Sequence, residues 1–491
     1  MERNAGVLCP LFSTPGNQGI GDLGAKTLKF IDCIADAGFK IWQILPIQRS
    51  GSTHSPYQTL SSFSGDPIYI NIDRLCEMGL LTQSSIVNCN KFKNFVDYDE
   101  VRAFKETYFR RAFRAFKKNF SQYQREFHAF EQEAFWLANW SLFALFTKLH
   151  DNRPWRQWDS EYRDWFYDPS GVDLSDQQEE IFYIKFLQFI FYKQLDEVIT
   201  YAHKKGVKIM GDIPFYVDLD SADVWSDRPD FMIDRNGEPE FIAGCPPDYF
   251  SEDGQRWGMP TYNFRHMKTN KYRFWRQRMD WMNRCFDMVR IDHFRAFVNY
   301  WKIPASCPTA KEGVWVDSPG EEILRYVTQE NPTMELVAED LGDDLGQAIF
   351  DLEEEFSIPG IQVQLFEMET KDLRQEKKEN VVLYSGTHDN ETIMEAYQGY
   401  TNNKRISLRR FFKKQGYTCR NFNEMVCQYL LDSKANTVIL PIWDICGYKA
   451  EARINTPGTL SSKNWTWKLK DFKTFPKDLE KAKHWIQTAN R

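Results

Sequence analysis

Short apolar runs that stop at an acidic or polar residue recur along this chain, and they limit its fold more than any other feature. The sharpest is Met288-Val289-Arg290-Ile291-Asp292, preceded by Asp287 and followed by His293-Phe294-Arg295. It reads as a buried strand ending in an acid. Strand side chains alternate between faces, so Arg290 and Asp292 project to the same side. A guanidinium beside a carboxylate favours the ionised form, which an attacking carboxylate requires. The same pairing also occurs as a purely structural bond.

Similar runs lie near residues 7, 42, 208, 336, 362, 382 and 438. Val207 to Pro214 contains Asp212, Glu335 to Gly342 contains Glu339 and Asp340, and Val381 to Asn390 contains His388 and Asp389. Helical patterns fall between them, near 25–37, 271–285, 320–329, 346–356, 405–414 and 423–433. Eight strands with intervening helices imply an α/β fold, a closed (β/α)8 TIM barrel. The 491 residues are read as one catalytic barrel, with insertions at about 47–100, about 101–200 and about 215–265. The second insertion is helical: Phe104, Tyr108, Ala112, Phe116 and Phe120 repeat at helical spacing. The lysines and arginines between them read as a solvated basic face. The third, from Asp223 to Trp257, reads as a long aromatic loop, and loops of that length in compact domains are usually functional. Gly16 to Gly24 contains a Gly-x-Gly-x-x-Gly pattern but lacks the acid that a dinucleotide site needs about twenty residues later, so it reads as a turn into a helix.

A net charge of −7 points away from nucleic acid and anionic membranes. No apolar segment is long enough to span a bilayer, and the N-terminus lacks a signal-peptide pattern. The ten cysteines are scattered singly, which fits a reducing cytoplasm better than a disulfide framework or zinc site. Aromatic residues make up 15% of the chain. Beyond the core, such a surplus supplies flat platforms for sugar rings.

In a barrel of this kind active sites gather at the C-terminal ends of the strands. Asp212, Asp292, Glu339 and Asp389 are all expected there. Converging carboxylates suit either a magnesium site or glycoside chemistry. For the second, Arg290 suits Asp292 as nucleophile. Crowding by other acids raises the pKa of Glu339, which suits a proton donor. Asp389, with His388 beside it, suits a holder of sugar hydroxyls.

These stretches together resemble the 4-α-glucanotransferases of the amylomaltase (disproportionating enzyme) family, within the α-amylase superfamily. The resemblance rests on Leu45-Pro46, Ser55-Pro56-Tyr57-Gln58, Gly211-Asp212-Ile213-Pro214-Phe215-Tyr216-Val217, Pro246-Pro247-Asp248 and Gly254-Gln255-x-Trp257-Gly258. It continues through Arg290-Ile291-Asp292-His293-Phe294-Arg295, Ala338-Glu339-Asp340-Leu341-Gly342, Gly386-Thr387-His388-Asp389-Asn390 and Arg453-x-Asn455-x-Pro457-Gly458. Typical amylases carry a histidine where this chain has Val217, so the amylase reading weakens. The chain also ends soon after Trp467, so the C-terminal β-domain of many amylases is not expected.

The resemblance implies a retaining transfer of α-1,4-glucan segments among maltooligosaccharides or glucans derived from starch or glycogen, without metal or cofactor. It implies catalytic roles for Asp292, Glu339 and Asp389. Tyr57, Asp212, Phe250, Trp257, Arg290, His388, Asp340 and Asn464 are the expected substrate contacts. Three rivals remain: an α-glucan hydrolase on the same fold, a metal-dependent barrel enzyme, and a glycan-binding protein. Oligomeric state is not legible.

Overall fold

The protein is described by a computed structural model that covers residues 3–86, 93–247, 251–342, 345–369 and 379–491. In chain order its strands are β1 (Asn4–Leu8), β2 (Ile41–Gln43), β3 (Lys208–Pro214), β4 (Phe241–Cys245), β5 (Gln255–Pro260), β6 (Met288–Asp292), β7 (Asn299–Pro304), β8 (Val314–Asp317), β9 (Glu335–Ala338), β10 (Gly360–Val363), β11 (Val381–Tyr384) and β12 (Thr437–Pro441). Eight form one sheet in the order β10-β11-β12-β1-β2-β3-β6-β9. Every neighbouring pair in it is parallel. The ring is drawn shut where Ala338 N–H donates to the Pro359 carbonyl at 2.9 Å, beside the start of β10. This is a (β/α)8 barrel, and all eight of its strands lie where the apolar runs place them.

The interior is a packed core, as closure of eight strands requires. Tyr384 Oη donates to Gln43 Oε1 at 2.9 Å across it. The register sets Asp212 beside Arg290 and Pro214 beside Asp292. Gly211, on the opposite face from Asp212, leaves room for the Phe286 ring; a Cβ there would come within 2.3 Å of it. The glycine thus lets the neighbouring strand's lead-in pack against β3.

Helices Tyr98–Lys118, Phe120–Glu133, Leu137–Leu149 and Gln178–Lys204 lie between β2 and β3. Helix Tyr98–Lys118 buries Val101, Tyr108, Phe109, Ala112, Phe113 and Phe116, and some of its basic residues pair with acids. Arg110 makes two 2.7 Å bonds to Glu180, and Lys117 reaches Glu179. Lys105 departs from the expected solvated face: it is fully buried and donates to Asp22 and to the Ile68 and Ile70 carbonyls. The glycine-rich stretch is indeed a turn: Gly24 caps helix Ala25–Asp36.

One expectation fails. The stretch from Asp223 to Trp257 is not one long loop. It includes part of helix Ala222–Ser226, all of β4 and the start of β5. With β7 and β8 these strands build a second, antiparallel sheet in the order β5-β4-β7-β8. Its strands are short, β4 is irregular between Ile242 and Gly244, and β8 is largely exposed. Apolar alternation is therefore weak, and periodicity does not reveal them. Among the described residues no helix is long and apolar enough to cross a membrane.

Candidate active site

An open cleft of about 1100 Å³ lies over the C-terminal ends of the barrel strands. Arg290, Asp292, Glu339, Asp389, Tyr57 and Trp257 line it. The strands bring these groups together because each ends at the same rim of the ring.

Arg290 is the electrostatic centre. Its side chain is 4% exposed, and its Nη1 lies 2.9 Å from Asp212 Oδ1. Its Nη2 lies 3.0 Å from Asp292 Oδ1. Burial works against the guanidinium charge, but the two carboxylates outweigh it and hold Arg290 firmly protonated. Tyr57 Oη donates to Asp212 Oδ2 at 2.7 Å. The two acids differ in access: Asp212 is wholly shut in, while Asp292 is 30% exposed to the cleft. A carboxylate bonded to a guanidinium on one edge and open to the cleft on the other is placed to attack an electrophilic carbon.

Glu339 stands just past β9. Its Oε2 accepts the backbone N–H of His293 at 2.7 Å, and its Oε1 accepts that of Leu341 at 3.3 Å. Burial and then the charge of Asp292 push its carboxyl up to about 7, against the pull of Arg290 and the His293 amide. An acid with that pKa holds a proton near neutrality and can also take one back. His293 adopts the left-handed backbone conformation, φ 56°, which is uncommon outside glycine and concentrates at functional turns. Phe294 N–H then reaches the Glu339 carbonyl at 3.0 Å.

Asp389 lies on the turn after β11. His388 Nε2 is 3.3 Å from Asp389 Oδ2, and the Asn455 side-chain amide donates to Asp389 Oδ1 at 2.6 Å. Burial opposes ionisation of Asp389, but His388 and Asn455 overcome it and bring the carboxyl down to about 2. Burial also depresses His388, and Asp389 reverses that, so His388 is raised above the ordinary histidine value. The His388 ring stacks on Tyr57 with centroids 5.2 Å apart and planes 15° from parallel. That contact joins the Asp389 side of the cleft to the Asp212 side.

The remaining expected contacts divide. Trp257, on β5, lies edge-on to His293 with centroids 4.8 Å apart, and together they wall one side. Phe250 lies outside the described residues. Asp340 does not face the cleft: its Oδ1 accepts Ile361 N–H at 2.7 Å. The adjacent Gly360 has no room for a side chain, since a Cβ would meet Asp340 Oδ2 at 2.4 Å. Asp340 therefore ties the end of β9 to β10. Asn464 lines the cleft, but its amide is engaged with its own loop, accepting from Thr456 N–H and donating to the Thr459 carbonyl. Asn455 reaches the Asp389 carboxylate instead. Asn455, His293 and Trp465 were not among the expected site residues, although all three lie in or beside the motifs. Among the described residues no group of three or more His, Cys, Asp or Glu side chains is arranged to hold a metal ion.

A family model described as 4-alpha-glucanotransferase matches residues 9–474. The chain belongs to that family. It is 36% identical over 480 residues to a 4-alpha-glucanotransferase of Thermus thermophilus, covering 96% of this chain and 95% of that protein. It is 35% identical to one from Synechocystis, covering 95% and 94%. Its fold superposes on the amylomaltase from Streptococcus agalactiae in complex with acarbose with a TM-score of 0.93, at 29% identity and full coverage of both chains. Membership of the 4-alpha-glucanotransferase family makes the chain a transglycosylase, and neither the hydrolase nor the glycan-binding alternative is favoured.

Proposed function

We propose that this 4-alpha-glucanotransferase moves α-1,4-glucan segments between maltooligosaccharides, or glucans derived from starch or glycogen, by two displacements at one anomeric carbon. Asp292 attacks the donor and forms a glucosyl ester. Glu339 gives its proton to the departing glycosidic oxygen, then takes one from the 4-hydroxyl of the incoming glucan. Asp389 faces the sugar of the intermediate as an anion and stabilises its oxocarbenium-like transition state. Arg290 holds one oxygen of Asp292 at 3.0 Å and so orients the carboxylate, and Tyr57, Asp212 and His388 shape the donor side. Trp257 covers the acceptor side and keeps water from the ester; water exclusion separates transfer from hydrolysis.

The observation that carries this reading is the opposite bias of two carboxyls in one cleft. Glu339 is pushed up to about 7 and Asp389 down to about 2. Environments that drive paired acids apart mark the proton donor and the anion. All nine described cysteines are free, which supports a reducing compartment, and we assign the enzyme to the cytoplasm.

The test is a product profile from maltotriose without added metal or cofactor. Longer maltooligosaccharides together with glucose are expected, and Asp292→Asn abolishes both. Only shorter products, with one new reducing end per bond cleaved, would replace this reading with hydrolysis.

A further inference from the structure

Asp444 is a carboxylate with no exposed surface and no cation beside it among the described residues. It lies in the short helix Ile442–Cys446, just past β12 and outside the cleft lining. A carboxylate so placed is costly to bury unless its bonds do something the fold needs. Its two oxygens go to two ends of one turn. Ser385 Oγ, at the end of β11, donates to Oδ2 at 2.6 Å. Ile393 N–H, at the start of helix Ile393–Gly399, donates to Oδ1 at 2.8 Å. Between those anchors runs the segment that carries His388 and Asp389. Thr392 Oγ1 adds a bond to the Tyr448 carbonyl at 3.0 Å, from the same neighbourhood. The Asp444 backbone is itself held, since Asn423 Nδ2 donates to its carbonyl at 2.8 Å.

We propose that Asp444 is a positioning residue for transfer: by gripping Ser385 and Ile393 it fixes the span of the turn that presents Asp389 to the donor sugar. This rests on the role given above to Asp389. Inside the turn, Asn390 Oδ1 accepts from Thr387 N–H and Oγ1 at 2.8 and 2.9 Å. The turn is thus shaped locally, and its placement relative to the barrel is set by Asp444. Burial pushes the Asp444 carboxyl up to about 7, and its two bonds pull it back, so both states keep a bonding role there.

Asp444→Ala, Asp444→Asn, Ser385→Ala and Asp389→Asn, each in the full chain, are assayed for kcat and KM with maltotriose. Asp444→Ala is expected to lower kcat roughly 10- to 100-fold, the scale of an ångström-sized misplacement of a reacting group, with KM within about threefold of wild type. Asp444→Asn retains an acceptor for Ile393 and a donor for Ser385, so it recovers part of the lost kcat. A merely structural residue would lower the melting temperature and leave kcat of the folded fraction alone; that outcome overturns the proposal. If Asp444→Ala does not accumulate as folded protein, Ser385→Ala decides by the same criterion. An Asp389→Asn enzyme with wild-type kcat would sink the Asp389 role itself. An inactive Asp389→Asn beside an Asp444→Ala of normal kcat would sink this inference alone.

Discussion

Glu339 Oε2 accepts the backbone N–H of His293, the residue that directly follows Asp292, at 2.7 Å. Glu339 is therefore tethered to the turn that carries Asp292, so any shift of one moves the other. Burial and Asp292 raise Glu339 to about 7, so the proposed acid role makes activity depend on its protonated form near neutrality. As pH rises through that value the proton is lost and kcat/KM falls. A pH profile of maltotriose turnover should show an alkaline limb near 7. Glu339→Gln should remove that limb and lower kcat by about 10²–10⁴-fold, the range for general acid–base groups. A limb unchanged in the variant would assign the titration elsewhere.

Asn455 gives Asp389 a hydrogen bond that favours the anion. Its removal in Asn455→Ala should let the Asp389 carboxyl rise from about 2 toward the ordinary carboxylate range. The acidic limb of kcat should move to higher pH. Profiles of wild type and variant between pH 3 and 6 check this, and superimposable acidic limbs would contradict it.

Tyr57→Phe deletes the donor to the Asp212 carboxylate and keeps the ring against His388. Hydrogen bonds to charged groups contribute about 1.5–3 kcal/mol. Asp212 keeps its bond to Arg290, so a weakening of donor binding by about tenfold is expected, seen as a higher KM for maltotriose. A variant with unaltered KM and reduced kcat would show that Tyr57 acts in the transition state alone.

Trp257→Ala opens the wall against His293. On the proposed mechanism water then competes with the acceptor hydroxyl for the glucosyl ester. New reducing ends per glucose released should rise, while ester formation persists. The ratio of hydrolysis to transfer, followed by reducing-end assay beside chromatography, measures it directly.

Stability carries its own pH signature through Asp444. Its folded pKa of about 7 lies above the ordinary 3.8 of a free aspartate. A group raised on folding contributes fully below its unfolded pKa and loses that contribution as pH rises through the folded value. Between pH 4 and 7 the penalty grows by at most about 1.4 kcal/mol per pH unit. Asp444→Asn cannot ionise, so its stability relative to wild type should improve from pH 5 to pH 8 in urea melts. A constant difference across that range would refute the assignment.

The sequence discloses the barrel because fully buried parallel strands are near-continuous apolar runs, whatever helices intervene. Asp292 and Glu339 stand out for the same reason, since one ends such a run and the other directly follows one, whereas Asp389 lies five residues past its run, on the turn after β11. Residues whose role depends on loop geometry are harder to read. Asp340 and Glu339 are chain neighbours, yet one faces the cleft and the other the backbone of β10, and only their side-chain directions tell them apart. Asn455 and Asn464 both lie in the polar tail, but only the fold reveals which amide reaches Asp389. Strands β4, β5, β7 and β8 were hidden because they are short and partly exposed, and their apolar alternation is faint.

The closing bonds of the barrel lie on either side of Glu339. Ala338 N–H holds the Pro359 carbonyl and Asp340 holds Ile361 N–H. Glu339 thus stands on the seam of the ring, where a cylinder of strands can part without breaking any longer ladder. Local breathing at that seam would carry Glu339 away from Asp292 before the rest of the barrel loosened. Catalytic competence would then be lost at a lower free energy than the fold itself, and the amide of Ile361 would exchange with solvent in step with that loss.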